Sequence, residues 1–228
     1  MKTTYDHVIN SKDFRDKLRY LNSSMLKAME IQNVDKRLIG NLFYDHGAVL
    51  RNQDLNTECD PKRRRFFQAC QMRTSMFEIG LNGGHSAFLC LMANPEIKVV
   101  SNDLAEKFIF HPEVYTIAAA KALSELFPSR FTFIKGNCLE VVPDFVSKNP
   151  GYRIDIAHID GAKHTYKQDV LNLLKIMSRE TIVILDDFQQ GGIRRCASQL
   201  ISEQGFSKME AFPQMQNIRL TNEILIRK

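Results

Sequence analysis

The stretch Ser75-Met76-Phe77-Glu78-Ile79-Gly80-Leu81-Asn82-Gly83-Gly84-His85-Ser86 decides the fold. It reads as a short buried strand that ends in a carboxylate, Glu78, followed by a glycine-rich turn and the start of a helix. Glycine has no Cβ, so the backbone can turn sharply there and approach a ligand closely. The free N–H groups of the following helix can hold an anionic part of that ligand. A nucleotide-type cofactor site is expected at this turn.

Outward from it, short apolar strands alternate with helical patterns. Strands are expected at 75–79, 98–102, 131–135, 154–159 and 181–185. Helices are expected near 85–93, 113–127, 138–147 and 165–177, with one more near 192–204. In the helix at 165–177, Tyr166, Val170, Leu173, Leu174 and Met177 share a face. This alternation predicts an α/β fold, a mostly parallel sheet covered by helices on both faces. Such sheets bind ligands at the carboxyl ends of their strands. After Gly205, a strand at 206–212 is broken by Pro213, and 216–226 reads as another. The short connection makes these two an antiparallel terminal hairpin, for seven strands in all. Residues 1–70 carry no strand pattern. Phe14, Leu18, Leu21, Met25 and Met29 recur at helical spacing, while Asp45-His46-Gly47 and 52–60 read as loops. The expected organisation is a helical extension over 1–70, serving as a lid or an oligomer contact, and a cofactor-binding domain over 71–228.

Composition sets the outer bounds. The chain has 228 residues, 44% hydrophobic and 25% charged, as in an ordinary globular protein. No apolar run reaches the roughly 20 residues that span a bilayer, and the N-terminus lacks the apolar core of a secretory signal, so the cytoplasm is the expected compartment. The cysteines at 59, 70, 90, 138 and 196 form no CxxC pair, so reduced thiols are expected, with neither a zinc site nor a redox motif. The net charge is +5. Its one dense basic cluster, Lys62-Arg63-Arg64-Arg65, reads as a solvated helix face and not as a nucleic-acid patch, with no aromatic interleaving to support the latter; Phe66 and Phe67 read as core.

The turn also discriminates between cofactors. A dinucleotide site would show G-x-G-x-x-G. Here Asn82 stands where the middle glycine belongs, and the Glu78 carboxylate would repel a pyrophosphate. A ligand with both an ammonium and a carboxylate suits Glu78 and the turn, and S-adenosylmethionine has both. Glu78 through Ser86 resembles the first motif of the class I S-adenosylmethionine-dependent methyltransferases, and the resemblance covers roughly residues 72–226. It implies a Rossmann-like seven-stranded sheet ending in an antiparallel hairpin. The cofactor-binding residues expected are Glu78, Gly80, Asn82, Gly83, Gly84, Ser86, Asp103, Asn137, Cys138 and Asp160. Asp103 ends the second strand, where a carboxylate can accept from ribose hydroxyls; its other reading is a helix cap or loop charge. Asn137 and Cys138 correspond to the segment along the adenine ring. Many family members have an acidic residue where Asn137 stands. Ser86 either donates to the cofactor carboxylate or caps its helix.

Two further strands, 154–159 and 181–185, end in Asp160 and in Asp186-Asp187. Three carboxylates at one sheet edge would repel unless a cation or protons intervened, and hard divalent cations take such ligands. Asp160, Asp186 and Asp187 resemble the metal site of small-molecule O-methyltransferases, including the macrocin O-methyltransferase-like group. The implied function is O-methylation of a small molecule, assisted by magnesium or another divalent metal, with S-adenosylhomocysteine as product. His164, Lys163 or Asp160 would take the proton. Related sequences often place a histidine three residues after the aspartate, where this chain has Lys163, with His164 fourth. His158, inside an apolar strand, reads as a hydrogen-bonded core histidine. Two alternatives stand beside this reading: a metal-independent N- or O-methyltransferase with His164 as base, and a non-catalytic S-adenosylmethionine-binding protein. The partners expected are a small-molecule acceptor and a second copy of the chain, with neither nucleic acid nor membrane.

Overall fold

The structure, a computed structural model, describes residues 3–50, 55–212 and 221–228. In chain order the elements are α1 (Tyr5–Ile9), α2 (Lys12–Ile31), α3 (Asp60–Cys70), β1 (Ser75–Ile79), α4 (His85–Ala93), β2 (Lys98–Asp103), α5 (Pro112–Leu126), β3 (Phe131–Lys135), α6 (Cys138–Lys148), β4 (Ile154–Ile159), α7 (Tyr166–Leu173), β5 (Met177–Leu185), α8 (Gly191–Gln204), β6 (Phe206–Lys208) and β7 (Glu223–Arg227). One seven-stranded sheet runs in the order β3-β2-β1-β4-β5-β7-β6. The first five strands are parallel, and β7 enters antiparallel between β5 and β6. The expected α/β sheet is thus present, with its reversed ending.

Alternation along each strand builds two cores. Met76, Val99, Ile156, Ile182 and Ile184 face one side, with the aromatic residues of α2, α3 and α4. Phe77, Val100, Ala157, Ile159, Val183 and Leu185 face the other, beneath α6, α7 and α8. Residues on successive positions of a strand point to opposite faces, so both faces must be apolar for the sheet to be covered twice.

Several boundaries differ from expectation. The helix over 165–177 ends at Leu173, a 3-10 turn follows to Ile176, and β5 begins at Met177. There Ser178-Arg179-Glu180 is exposed, and its polarity hid the strand's first half. The expected strand at 206–212 stops at Lys208, and β7 starts at Glu223; residues 213–220 of the expected hairpin lie outside the described residues.

The N-terminal segment shares the first core. The Ser11 hydroxyl accepts from the Phe14 N–H at 3.1 Å and starts α2. The expected stripe of Phe14, Leu18, Leu21, Met25 and Met29 is buried. Phe14 packs on Phe88 of α4 and Phe43 of the following loop, with ring centroids 5.1 and 6.0 Å apart. Each such ring contributes about 1.5–3 kcal/mol through burial.

The basic run on α3 corrects the sequence reading. Lys62, Arg63 and Arg65 are buried, and of the four only Arg64 reaches solvent. Arg63 donates to Tyr5 Oη (3.0 Å), Leu42 O (2.9 Å) and Asn56 O (2.7 Å). Arg65 donates to Phe212 O at 2.9 Å and lies 3.7 Å from Glu223. Arg64 pairs with Asp6 and Asp60. Phe66 and Phe67 are core, as expected, Phe66 with its ring 4.9 Å from that of His158 on β4. The arginines are met by carbonyls and carboxylates of the N-terminal segment, of α3 itself, of Phe212 and of β7, which hydropathy along one helix does not register.

All five cysteines are free. Among the described residues no helix is long and apolar enough to cross a membrane.

Candidate active site

The strand register assembles the site. Ile79, Ile159 and Leu185 are lateral partners across β1, β4 and β5. The residues that follow them, Gly80, Asp160 and Asp186, therefore leave the sheet side by side at its carboxyl edge. One position earlier, Glu78 aligns with Ser101 on β2 and His158 on β4. That alignment explains what Glu78 does. It is fully buried; Ser86 and Ser101 donate to its two oxygens, the latter at 2.6 Å, and His158 Nδ1 lies 3.0 Å from Oε1. Burial pushes the His158 pKa down, but Glu78 and the nearby Asp160 and Asp186 outweigh it, and the net shift is upward. Glu78 thus supports the turn from beneath, with protein donors on both oxygens. Ser86 spends its hydroxyl on Glu78.

Gly80 has φ +98°, and a Cβ there would stand 2.4 Å from the Asp160 carbonyl oxygen. This glycine is required by the approach of the chain leaving β4. Gly84, at φ +73°, begins α4, and a Cβ there would meet Leu123 at 2.8 Å. Asn82 adopts φ +51°. Its N–H donates to Asp103 Oδ2 at 2.8 Å, and the other Asp103 oxygen accepts from Ala105 N at 2.8 Å. Burial raises the Asp103 pKa against these bonds. Each carboxylate oxygen keeps a second lone pair for a ligand hydroxyl. Asn82 Nδ2 reaches Ile39 O and Gly40 O at 3.4 and 3.5 Å, while its buried Oδ1 has no partner among the described residues. An orphaned acceptor beside a half-used carboxylate and a helix N-terminus fits a cofactor with ammonium, carboxylate and ribose groups. Gly83 lies against the His85 ring. Asn137 caps α6, its Oδ1 accepting from Leu139 N at 3.1 Å. Cys138 begins that helix, and burial with Asp169 nearby pushes its thiol up to about 12, an unreactive state.

At the other end of the edge, the three aspartates gather, and two lysines come with them. Lys163 Nζ donates to Asp160 Oδ1 and Tyr166 Oη, both at 2.8 Å, and lies 2.9 Å from Asp187 Oδ2. Lys62, arriving from α3, pairs with Asp186 Oδ1, with both side chains almost wholly buried. The Asp187 N–H also donates to that oxygen at 2.8 Å. Burial, with Asp186 close by, pushes Asp160 up to about 7 against the pull of Lys163 and Lys62. Burial acts the same way on Asp186, but Lys62 and His158 prevail and its pKa is lowered. Both lysines are held protonated: burial opposes their charge, and the carboxylates overcome it. His164 lies on an exposed turn outside this network. The cations that the crowded carboxylates demand are thus supplied from within the chain. Lys62 was missed because it stands on a remote helix in a run that looks solvated.

One ligand atom each of His158, Asp160 and Asp186 falls within 4.8 Å of the others, a spacing a metal ion could use. Asp187 is not among them: it adopts φ +53° and turns to Lys163 and Gln189. The carboxylates, however, already hold cations: Asp186 Oδ1 pairs with Lys62, and Asp160 Oδ1 and Asp187 Oδ2 pair with Lys163. His158 Nδ1 faces Glu78, which leaves Nε2 as its ligating nitrogen, so the obstacle to a metal is the two ammonium groups and not the histidine. A divalent cation does not fit unless both ammonium groups move.

Residues 77–188 match a family model described as "Methyltransferase domain". No curated protein matches the chain in sequence. Among solved structures, the chain is similar to an O-methyltransferase from Bacillus cereus in complex with S-adenosylhomocysteine, at 16% identity and a TM-score of 0.61, covering 91% of this chain and 90% of that one. It is equally similar to the O-methyltransferase TomG of Streptomyces achromogenes, involved in tomaymycin synthesis and bound to S-adenosylmethionine, at 16% identity, TM-score 0.62 and the same coverage. A methyltransferase of Podospora anserina bound to S-adenosylhomocysteine follows at 13% identity and a TM-score of 0.57, covering 76% of this chain and 82% of that one. At such identities the likeness is one of fold. With a family match that spans β1 to the end of β5 and a sheet of this order, the chain carries a methyltransferase domain of the class I S-adenosylmethionine-dependent fold.

Proposed function

We propose that this protein methylates a hydroxyl oxygen of a small molecule, with Asp160 as the proton acceptor. The carrying observation is the cluster of Asp160, Lys163 and Tyr166 at the carboxyl edge, one strand away from the glycine turn. S-adenosylmethionine supplies an electrophilic methyl group on a sulfonium sulfur. Asn82, Asp103 and the N-terminus of α4 would hold it, on the side of the edge next to β2. Asp160, whose backbone N–H donates to Ile79 O at 2.8 Å, stands between that turn and Asp186. Its carboxylate would take the acceptor's proton as the oxygen bonds to the methyl carbon and the methyl–sulfur bond breaks, with S-adenosylhomocysteine leaving, and a pKa near neutrality suits that task. Lys163 and Tyr166 would orient Asp160 and stabilise the developing negative charge on the acceptor. His164 and Lys163 are weaker candidates for the base: the former stands apart from the cluster, and the latter is held protonated. Residues 1–70 would close the site, since Ile39 and Gly40 lie against the turn and α3 lies against β4.

Two ammonium groups among three carboxylates favour a reaction that runs without a divalent cation. The solved O-methyltransferases of similar fold support oxygen over nitrogen as the acceptor atom. The test is release of S-adenosylhomocysteine by the native protein, with and without a chelator, against small phenols, sugars and amines. Transfer to hydroxyl compounds that survives chelation, and its loss in Asp160→Asn, is the expected result. Transfer confined to amines would overturn the oxygen assignment.

A further inference from the structure

We infer that the Lys62 ammonium takes the place of a divalent cation among Asp160, Asp186 and Asp187 and excludes one from the site. Its link to catalysis rests on the function proposed above, but the exclusion itself does not. Lys62 is buried, its side chain 7% exposed, and it engages Asp186, which is 5% exposed. The helix that carries it is pinned on three sides. Arg63 is tied to Leu42 O and Asn56 O, Arg65 to Phe212 O, and Phe66 lies on His158. With α3 docked, the Lys62 stem is enclosed and its ammonium is held at Asp186. The oxygen it occupies, Asp186 Oδ1, is also the one that accepts the Asp187 N–H, so a cation entering at that oxygen would have to displace two donors. Across the cluster, Lys163 bridges Asp160 and Asp187, and every carboxylate of the set already faces a positive charge. An ammonium brings its own positive charge and three donors to these oxygens, whereas a divalent cation needs several oxygen ligands around it. The two compete for the same carboxylates and repel each other across them. Lys62 is accordingly a positioning residue, holding Asp186 and, through it, the separation of the three carboxylates.

Manganese(II) titration, read by the electron paramagnetic resonance of the free ion and by the unfolding midpoint, tests this without a methyl acceptor. The native protein should leave the free-ion signal and the midpoint unchanged at millimolar metal. Lys62→Met, nearly isosteric and uncharged, should bind manganese at least ~10-fold more tightly than the native protein and rise in midpoint when it does. Lys62→Arg should behave as native, and Lys62→Met combined with Asp186→Asn should lose the gain. Native binding that disappears in Asp160→Asn, or no gain in Lys62→Met, overturns the inference. Should Lys62→Met fail to fold, the native titration decides alone: binding abolished by Asp160→Asn refutes it, and absence of binding supports it. Failure of every acceptor to yield S-adenosylhomocysteine would refute the proposed function and leave these metal readings intact.

Discussion

Replacing Gly80 with alanine should damage the protein through its fold more than through its ligand. The new Cβ would lie 2.4 Å from the Asp160 carbonyl oxygen, 2.6 Å from its carbon and 2.9 Å from Gly161 N. All three are backbone atoms and none can rotate away. The residue would also be held at φ +98°, a strain of about 1–2 kcal/mol for a side chain. Overpacking against fixed atoms adds about 1–3 kcal/mol, for a loss on the order of 2–5 kcal/mol. In a chain of this size the unfolding midpoint should fall by roughly 4–20 °C. Relief requires the end of β4 to retreat, and a shift near 1 Å of Asp160 would lower turnover by about 100-fold. Calorimetry and S-adenosylhomocysteine release measure the two effects, with Gly192→Ala as the control, since nothing lies within 4 Å of a Cβ there. An alanine variant with native stability and only weakened cofactor affinity would refute the argument, and would mean that this glycine serves the ligand alone.

Three further outcomes are expected. Burial pushes the His85 pKa down to about 3, with Nε2 3.1 Å from Asn22 Oδ1. The folded value lies below the unfolded one, so stability is complete above pH ~6.5 and falls by about 1.4 kcal/mol per unit from there toward pH 3; urea titrations at several pH values should show this slope, and its persistence in His85→Gln would discount the histidine. With Asp160 raised to about 7, the basic form and hence turnover should grow through pH ~7, about tenfold slower at pH 6 than at the plateau, and a pH-rate profile flat between 6 and 8 would remove Asp160 as base. Arg63→Met should cost about 3–5 kcal/mol by denaturant unfolding, because Leu42 O, Asn56 O and Asp60 lose a buried partner; a change under 1 kcal/mol would show that these bonds are readily replaced by water.

The fold was legible because its decisive signals are local. Five parallel strands are apolar runs punctuated by Gly80, Asp103, Gly136, Asp160 and Asp186, and a doubly covered sheet leaves no other pattern open to them. The turn was legible for a different reason: Gly80, Asn82 and Gly84 mark positions where the backbone needs unusual angles. What lay hidden is non-local. The glycine at 80 looked like space for a ligand, and only the pairing of β1 with β4 reveals the carbonyl it accommodates. Glu78 looked like a ligand for an ammonium, and only the lateral alignment with Ser101 and His158 shows its oxygens taken. Lys62 looked solvated, since its partner Asp186 is far along the chain and no periodicity links an N-terminal helix to the end of β5.

The pairing of Lys62 with Asp186 also has a bearing on how the chain folds. The helix comes from the first third of the sequence, and its partner from the end of the fifth strand. Until α3 lies on the sheet, three aspartates face one another with Lys163 as their sole lysine. Contacts so distant in sequence close late, because the loop entropy is lost before the bond forms. The sheet edge must therefore be assembled against its own repulsion, and docking of α3 relieves it. Substitutions at this ion pair should thus leave the folding rate nearly unchanged and accelerate unfolding, the kinetic mark of an interaction made after the transition state.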